Sequence, residues 1–157
     1  MYARDLLYLY MCYTMKIEHT REALQQRFDV DFGSDTEYST GVRISAFSLP
    51  KLPVICSSDQ SEFKVFTWGL IPFWVKTAKD AETIRMKTFN ARSESLTERS
   101  SFRHLINQKH CIVPVTGFYE WQHEGRNKIP YFIYLKGTDI FCLAGLYDSW
   151  MDKSSGN

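Results

Sequence analysis

The last third of the chain alternates apolar runs with short polar turns. Apolar residues dominate positions 111–121, 131–135 and 140–150, and the glycine-containing segments HEGRNK and KGTD lie between these runs. Apolar runs joined by short turns that contain glycine are typical of neighbouring antiparallel strands. This part of the chain therefore predicts an antiparallel meander.

Helical patterns are short and few. In TREALQQRF, residues 20–28, Thr20 can cap a helix, and Leu24 and Phe28 are spaced four apart on one face. Two further short helices are predicted for residues 79–86 and 101–107.

Strand and loop patterns fill the middle of the chain. Residues 41–55 are rich in Ser, Pro and β-branched residues and predict a loop with an edge strand, while residues 64–68 alternate and predict a strand. The following segment WGLIPFW contains Gly69 and Pro72, which interrupt regular structure. The predicted class is α+β, mainly antiparallel β-sheet with a few short helices.

Composition narrows the class of protein. The 157 residues are 44% hydrophobic, 15% aromatic and carry a net charge of +1, which fits one globular domain and leaves only a local patch for a polyanionic partner. The cysteines form no CxxC pair and the histidines have no metal-ligand spacing, so we predict reduced thiols, no metal, no cofactor and a cytoplasmic protein. No apolar run approaches the roughly 18 residues of a membrane-spanning helix.

Glu120 is a candidate acid–base residue because it lies among the aromatic residues of GFYEW. If it is buried, its pKa would rise and it could hold a proton for general acid or base chemistry. The strand pattern alone favours the alternative, a solvent-facing acid on an alternating strand.

Asn90 and Arg92, in FNARSES, offer an amide for positioning and a guanidinium for phosphate. A loop with locally satisfied hydrogen bonds is the alternative interpretation. Basic and aromatic residues around this segment have the composition of a groove for single-stranded nucleic acid. They are Lys87, Arg99, Arg103, Lys109 and Arg126, with Trp68, Trp74, Phe89, Phe102 and Trp121.

The order of the motifs is more specific than any single motif. Met11-Cys12, WGLIPFW, NARSES, FRHLI, CIVPVTGFYEW, YFIYL and LAGLYDSW follow one another in the order and spacing of the SRAP (SOS response-associated peptidase) family. The resemblance extends from Met11 to about Trp150. It implies a barrel-like fold, an N-terminal extension at 1–10, and an SRAP domain at 11–157 whose C-terminal part is expected to be missing.

The resemblance also implies a reaction with damaged DNA. Members of the family remove the initiator methionine, and the exposed cysteine forms a thiazolidine crosslink with the aldehyde of an abasic site in single-stranded DNA. Cys12 would be the nucleophile, Asn90 would position it, and Glu120 would relay protons. Arg92 and Trp68 match positions that line the DNA cleft.

Three departures from the family pattern keep other functions open. First, ten residues precede Met11. Second, the cysteine is followed by Tyr13 and Thr14 instead of a Gly-Arg pair. Third, no downstream His-x-x-Arg-Met-Pro-like segment is present. One alternative is a thiol autopeptidase that uses Cys12 and Glu120. The other is a non-catalytic remnant that binds single-stranded DNA.

Overall fold

The computed structural model describes residues 12–34 and 37–152. The predicted extension 1–10 and Met11 lie outside the described residues. The strands are β1 Thr14–Ile17, β2 Asp31–Phe32, β3 Gly41–Ser45, β4 Lys51–Cys56, β5 Asp59–Thr67, β6 His110–Val115, β7 Gly117–Glu124, β8 Asn127–Ile133 and β9 Phe141–Leu146. The helices are α1 Arg21–Phe28 and α2 Ala78–Arg85, with short 3₁₀ turns at Ala46–Ser48 and Ser93–Ser95.

Both helices begin at threonine caps. The Thr20 hydroxyl accepts a hydrogen bond from the Ala23 N–H at 3.2 Å, and the Thr77 hydroxyl accepts one from the Asp80 N–H at 3.1 Å. These bonds satisfy amide groups that have no partner within the first helical turn. The predicted helices at 20–28 and 79–86 are confirmed.

The helix predicted for residues 101–107 is wrong, because this segment is a series of turns. Its backbone hydrogen bonds switch between three-residue and four-residue spacing, so no regular α-helical ladder forms. Phe102 and Leu105 are nevertheless buried, at 7% and 0% exposed. Burial of these two side chains therefore does not require a regular helix.

The strands form two sheets. One has four antiparallel strands in the order β3-β1-β7-β8, and the other has five in the order β2-β5-β4-β6-β9, where only the short β2 is parallel to its neighbour. The predicted α+β class with mainly antiparallel strands is confirmed. Within the described strands both sheets keep free edges and do not close into a barrel, so the barrel-like closure implied by the family resemblance is corrected.

The predicted meander is also wrong, because the run 111–121 divides at Thr116 between the two sheets. The Thr116 N–H donates to the Lys16 carbonyl at 2.9 Å, where the chain passes from β6 to β7. As a result β8 pairs with β7, whereas β9 pairs with β6 in the other sheet. Hydrophobic periodicity identifies a strand but does not specify its partner.

The edge strand predicted within residues 41–55 is only partly right. β3 lies at an edge, but β4 lies between β5 and β6. β4 tolerates Pro53 because it pairs with β6 only further along, at Ile55 and Cys56. A proline there removes no hydrogen bond from the β4–β6 ladder. The strand predicted at 64–68 falls largely within β5.

The core lies between the two sheets. Met15, Ile17 and Ile44 point from the four-stranded sheet toward Leu52 and Val115 of the other sheet, and all five are less than 9% exposed. Since strand side chains alternate, the residues between them point away from the core. We call that opposite side of the four-stranded sheet the outer face.

Candidate active site

Cys12 lies two residues before β1 and is held by two hydrogen bonds. The Asn90 side-chain amide donates to the Cys12 carbonyl oxygen at 2.7 Å, and the Cys12 thiol donates to the Thr14 carbonyl at 3.3 Å. β1 is fixed in turn by the pairing of Thr14 with Tyr119 in β7. The cysteine backbone is therefore clamped between a loop amide and the sheet.

Glu120 follows Tyr119 in β7 and interacts electrostatically with Cys12. Burial raises the pKa of the Cys12 thiol to about 11, and the negative charge of Glu120 acts in the same direction. Burial also raises the pKa of Glu120, although the Trp121 backbone N–H opposes this shift. The site thus combines a neutral thiol with a carboxyl group that retains its proton at a higher pH than an ordinary glutamate does. The solvent-facing alternative for Glu120 does not describe this half-buried position.

An aromatic cluster supports the segment that carries Asn90. The Trp68 indole N–H donates to the Phe89 carbonyl at 2.9 Å, directly before Asn90. The Phe89 ring is 7% exposed and packs edge-on against Tyr13, Phe47 and Trp68. Asn90 therefore projects from a segment fixed by ring packing and by a backbone hydrogen bond.

The other predicted site residues are not all brought to Cys12. Arg92 is exposed two residues after Asn90. Trp74 and Arg103 are exposed on other loops, and in the described part of the chain no hydrogen bond or ring contact links them to Cys12, Asn90 or Glu120. Trp121 lies on the outer face, opposite Cys12 when the antiparallel register of β1 and β7 is continued. The structure therefore groups Cys12 with Asn90, Glu120, Trp121 and the supporting Trp68.

Sequence analysis missed the contribution of Phe47 and Tyr13 to this site. Their ring centroids lie 5.2 Å apart beside Phe89. Phe47 lies in a 3₁₀ turn far from the recognised motifs, and its 57% exposure gives no core-like signal. The aromatic Tyr13 beside Cys12 was the available signal, since an aromatic residue next to a candidate nucleophile packs against other rings.

A cavity of about 880 Å³ adjoins the site. Its lining is mostly apolar and includes Trp68, Asn90, Met15, Leu70, Phe102 and Leu143. This volume lies within the range of about 300–1,000 Å³ typical of small-molecule pockets. A small organic group therefore has room next to Asn90.

Asp148 ties the loop after Trp68 to the end of β9. Its side chain is 0% exposed, receives the Phe73 backbone N–H at 2.9 Å and the Lys109 ammonium at 2.6 Å, and lies 3.3 Å from His104 Nε2. Burial alone would raise the pKa of Asp148, but the hydrogen bonds from Lys109, Phe73 and His104 lower it overall.

We expect Asp148→Asn to lower the free energy of unfolding at pH 7 by about 2 kcal/mol, because charge-assisted hydrogen bonds are lost. A carboxyl whose folded pKa is depressed stabilises the fold above its unfolded pKa of about 3.9 and loses this contribution as the pH falls through its folded pKa. Urea unfolding at pH 7 and pH 3 should therefore show a smaller gap between wild type and variant at pH 3. Asp80→Asn, which changes an exposed carboxyl beside Thr77, is the control. An equal gap at both pH values would contradict this role.

Within residues 12–34 and 37–152, no group of three or more His, Cys, Asp or Glu side chains is placed to hold a metal ion. None of the helices in these ranges has the length and apolar character needed to cross a membrane.

The chain is similar in sequence to a known protein family and to several of its members. A family model described as SOS response associated peptidase (SRAP) matches residues 11–157. The chain is 34% identical over 142 residues to abasic site processing protein YoaM of Bacillus subtilis (strain 168), covering 89% of this chain and 60% of that relative. It is 34% identical over 108 residues to abasic site processing protein HMCES of Gallus gallus, covering 57% of this chain and 32% of that relative.

Two solved structures resemble the fold of this chain. A crystal structure of a protein from Bacteroides thetaiotaomicron matches with a TM-score of 0.85 and 42% identity, covering 93% of this chain and 64% of that one. A protein from Bordetella bronchiseptica matches with a TM-score of 0.72 at 22% identity, covering 93% of this chain and 67% of that one, and this likeness concerns the fold alone. The chain spans about 60% of the length of the Bacillus subtilis relatives.

Proposed function

The chain belongs to the SOS response associated peptidase (SRAP) family, and from that premise we propose that it processes abasic sites in DNA through a covalent bond to Cys12. The names of the Bacillus subtilis and Gallus gallus relatives support the substrate. The observation that carries the proposal is the grouping around Cys12, where the Asn90 amide binds its carbonyl and the charge of Glu120 acts on its thiol.

The reaction needs Cys12 at the N-terminus of the working protein, so the preceding residues must be removed. Its α-amine adds to the ring-opened aldehyde of the abasic sugar, and loss of one water gives an imine. The thiol then adds to the imine carbon and its proton passes to nitrogen, which closes a five-membered thiazolidine. Only an N-terminal cysteine has an amine and a thiol on adjacent carbons.

In the proposed reaction each of these residues has a part that its position supports. Asn90 holds the Cys12 carbonyl and so orients the amine and thiol together. Glu120, with its raised pKa, donates a proton to the departing water and then accepts the thiol proton during ring closure. Because the Cys12 thiol has a pKa of about 11, the amine attacks first and the thiol closes the ring.

The preferred substrate is an unpaired strand. Cys12 is half-buried, so a sugar must approach closely, and a paired strand would stand in the way. The guanidinium of Arg92 is exposed two residues from Asn90 and is suited to a phosphate near the reacting sugar. Phosphate contacts would make the non-covalent stage sensitive to salt.

The test combines mass and gel measurements. Intact mass identifies protein that begins at Cys12, and this protein is then mixed with single-stranded DNA carrying one abasic site. We expect a heat-stable shifted band on a denaturing gel. Pre-reduction of the aldehyde to an alcohol removes the electrophile and is the matched control. A band of equal strength with reduced DNA, or none with either, would contradict the proposal.

The two alternatives predict other outcomes in the same experiment. A thiol autopeptidase would lose the residues before Cys12 without binding DNA, and a DNA-binding remnant would shift DNA on native gels alone. The high pKa of the Cys12 thiol does not favour the first alternative, because peptide cleavage by cysteine uses the thiolate.

A further inference from the structure

The outer face of the four-stranded sheet carries a contiguous group of aromatic rings. The centroids of Tyr119 and Phe132 lie 5.0 Å apart, and the Phe132 and Tyr134 rings stack at 5.7 Å with an interplanar angle of 18°. Phe132 is 37% exposed and Tyr134 is 62% exposed. These rings lie on the side opposite the core, so they do not contribute to packing between the sheets.

Cations lie over these rings. The Arg43 guanidinium is 5.9 Å from the Tyr119 centroid, and the Lys16 ammonium is 5.7 Å from the Phe132 centroid. Lys16 also pairs with Glu18 at 2.6 Å, just after β1. Among the positions of β1, β3, β7 and β8 that alternate onto the outer face, none is an acid.

The absence of a side chain at Gly117 makes room for the Phe132 ring on the sheet. A Cβ at position 117 would lie 2.3 Å from Cζ of Phe132 and 2.7 Å from the Ile133 carbonyl oxygen, so the Phe132 ring occupies the space that a side chain at 117 would fill. The absence of a side chain at one strand position thus lets a neighbouring ring cover the sheet surface. Phe132 remains 37% exposed, so part of its ring is open to a flat ligand.

We propose that this surface, formed by Tyr119, Trp121, Phe132, Tyr134, Arg43 and Lys16 and called the aromatic platform below, binds an unpaired polynucleotide strand. Exposed rings stack on bases without regard to sequence, and the interleaved cations neutralise phosphates. The proposal deepens the proposed function and rests on it, because it gives the path of the strand on one side of the reacting nucleotide.

The platform is continuous with the site. Thr14 pairs with Tyr119, so continuing the antiparallel register places Cys12 opposite Trp121. Trp121 alternates onto the outer face together with Tyr119. A strand whose sugar reaches Cys12 therefore meets Trp121 first, then Tyr119 and Phe132. This continuity with Cys12, together with the alternation of rings and cations on the platform, favours a polynucleotide over an acidic or apolar protein segment.

The test measures binding of fluorescent oligothymidylate without any abasic site. We expect Phe132→Ala and Tyr134→Ala each to weaken binding about 10-fold, the effect of losing one stacked base. Tyr134→Phe should bind like the wild type, because it keeps the ring. Arg43→Ala should reduce the salt dependence of binding by about one phosphate contact.

Matched controls separate stacking from general disturbance. Leu135→Ala removes an exposed side chain next to Tyr134, and Arg27→Ala removes a guanidinium that lies over Phe28 on α1. Both should bind oligothymidylate like the wild type. Equal thermal unfolding temperatures for all variants would show that each variant is folded.

The outcomes distinguish this proposal from the proposed function. If the wild type crosslinks abasic DNA but the platform variants bind oligothymidylate unchanged, the platform assignment is overturned. If the wild type forms no crosslink while the platform variants still lose affinity, the platform stands and the covalent function fails. Absence of wild-type binding to oligothymidylate would also overturn the platform.

Discussion

Cys12→Ala, in protein that begins at residue 12, is expected to abolish the heat-stable crosslink. The variant retains its α-amine, so it still forms an imine with the abasic aldehyde, but it has no thiol to close the thiazolidine. The imine hydrolyses on heating. Denaturing gels should therefore show no shifted band. The yield of heat-stable crosslink should fall by more than about 100-fold, because the thiol forms the stable product.

Chemical trapping sharpens this prediction. Cyanoborohydride reduces an imine to a stable secondary amine, so the Cys12→Ala band should return when the reductant is present. Cys142→Ala is the matched control, since Cys142 is an exposed thiol elsewhere in the structure. It should crosslink like the wild type without reductant. A heat-stable band at wild-type yield in Cys12→Ala alone would remove Cys12 from the chemistry.

Glu120→Gln is expected to slow crosslinking by about 100-fold or more, the usual contribution of a positioned acid or base. Glutamine keeps the shape of the side chain but neither donates nor accepts the proton as the carboxyl does. Because burial raises the pKa of Glu120, the wild-type rate should show an ionisation above pH 4.5, with proton donation declining as the pH rises through it. Single-turnover rates across pH should lack this ionisation in the variant.

Stability provides an independent check on Glu120. A carboxyl whose pKa is raised by folding destabilises the folded state progressively as the pH rises above its unfolded pKa, and fully above its folded pKa, because a charge must then be buried. Glu120→Gln should therefore unfold at a temperature no lower than that of the wild type. Glu124→Gln, on the same strand and exposed, is the control and should keep the wild-type rate. A variant that is slow only because it is unfolded, or one that keeps the ionisation, would contradict the assignment.

The local elements of the fold were predictable from short stretches of sequence. Thr20 and Leu24 specify α1 within one turn, because capping and four-residue spacing are local properties. The division of the last third between two sheets was not predictable in this way. It depends on the hydrogen bond from Thr116 to Lys16, across 100 residues of chain, and no local pattern encodes that contact.

The candidate site follows the same rule. The strand pattern favoured a solvent-facing Glu120, and Asn90 was compatible with an ordinary loop. The candidate role of each residue depends on its interaction with Cys12, which is distant in the sequence. The Asn90 amide meets the Cys12 carbonyl across 78 residues. The order of the family motifs supplied this connection, whereas composition did not. The aromatic platform escaped prediction because Arg43 and Lys16 lie far along the chain from Tyr119 and Phe132.

The elevated pKa of Cys12 also bears on how long the protein remains usable. At pH 7 a thiol with a pKa of about 11 is ionised in only about one molecule in 10,000. Peroxides and alkylating agents react with the thiolate, so the buried sulfur is oxidised far more slowly than an ordinary surface cysteine. Under the proposed function each molecule reacts once, and this inertness would keep its sulfur available under oxidative conditions until an aldehyde is bound.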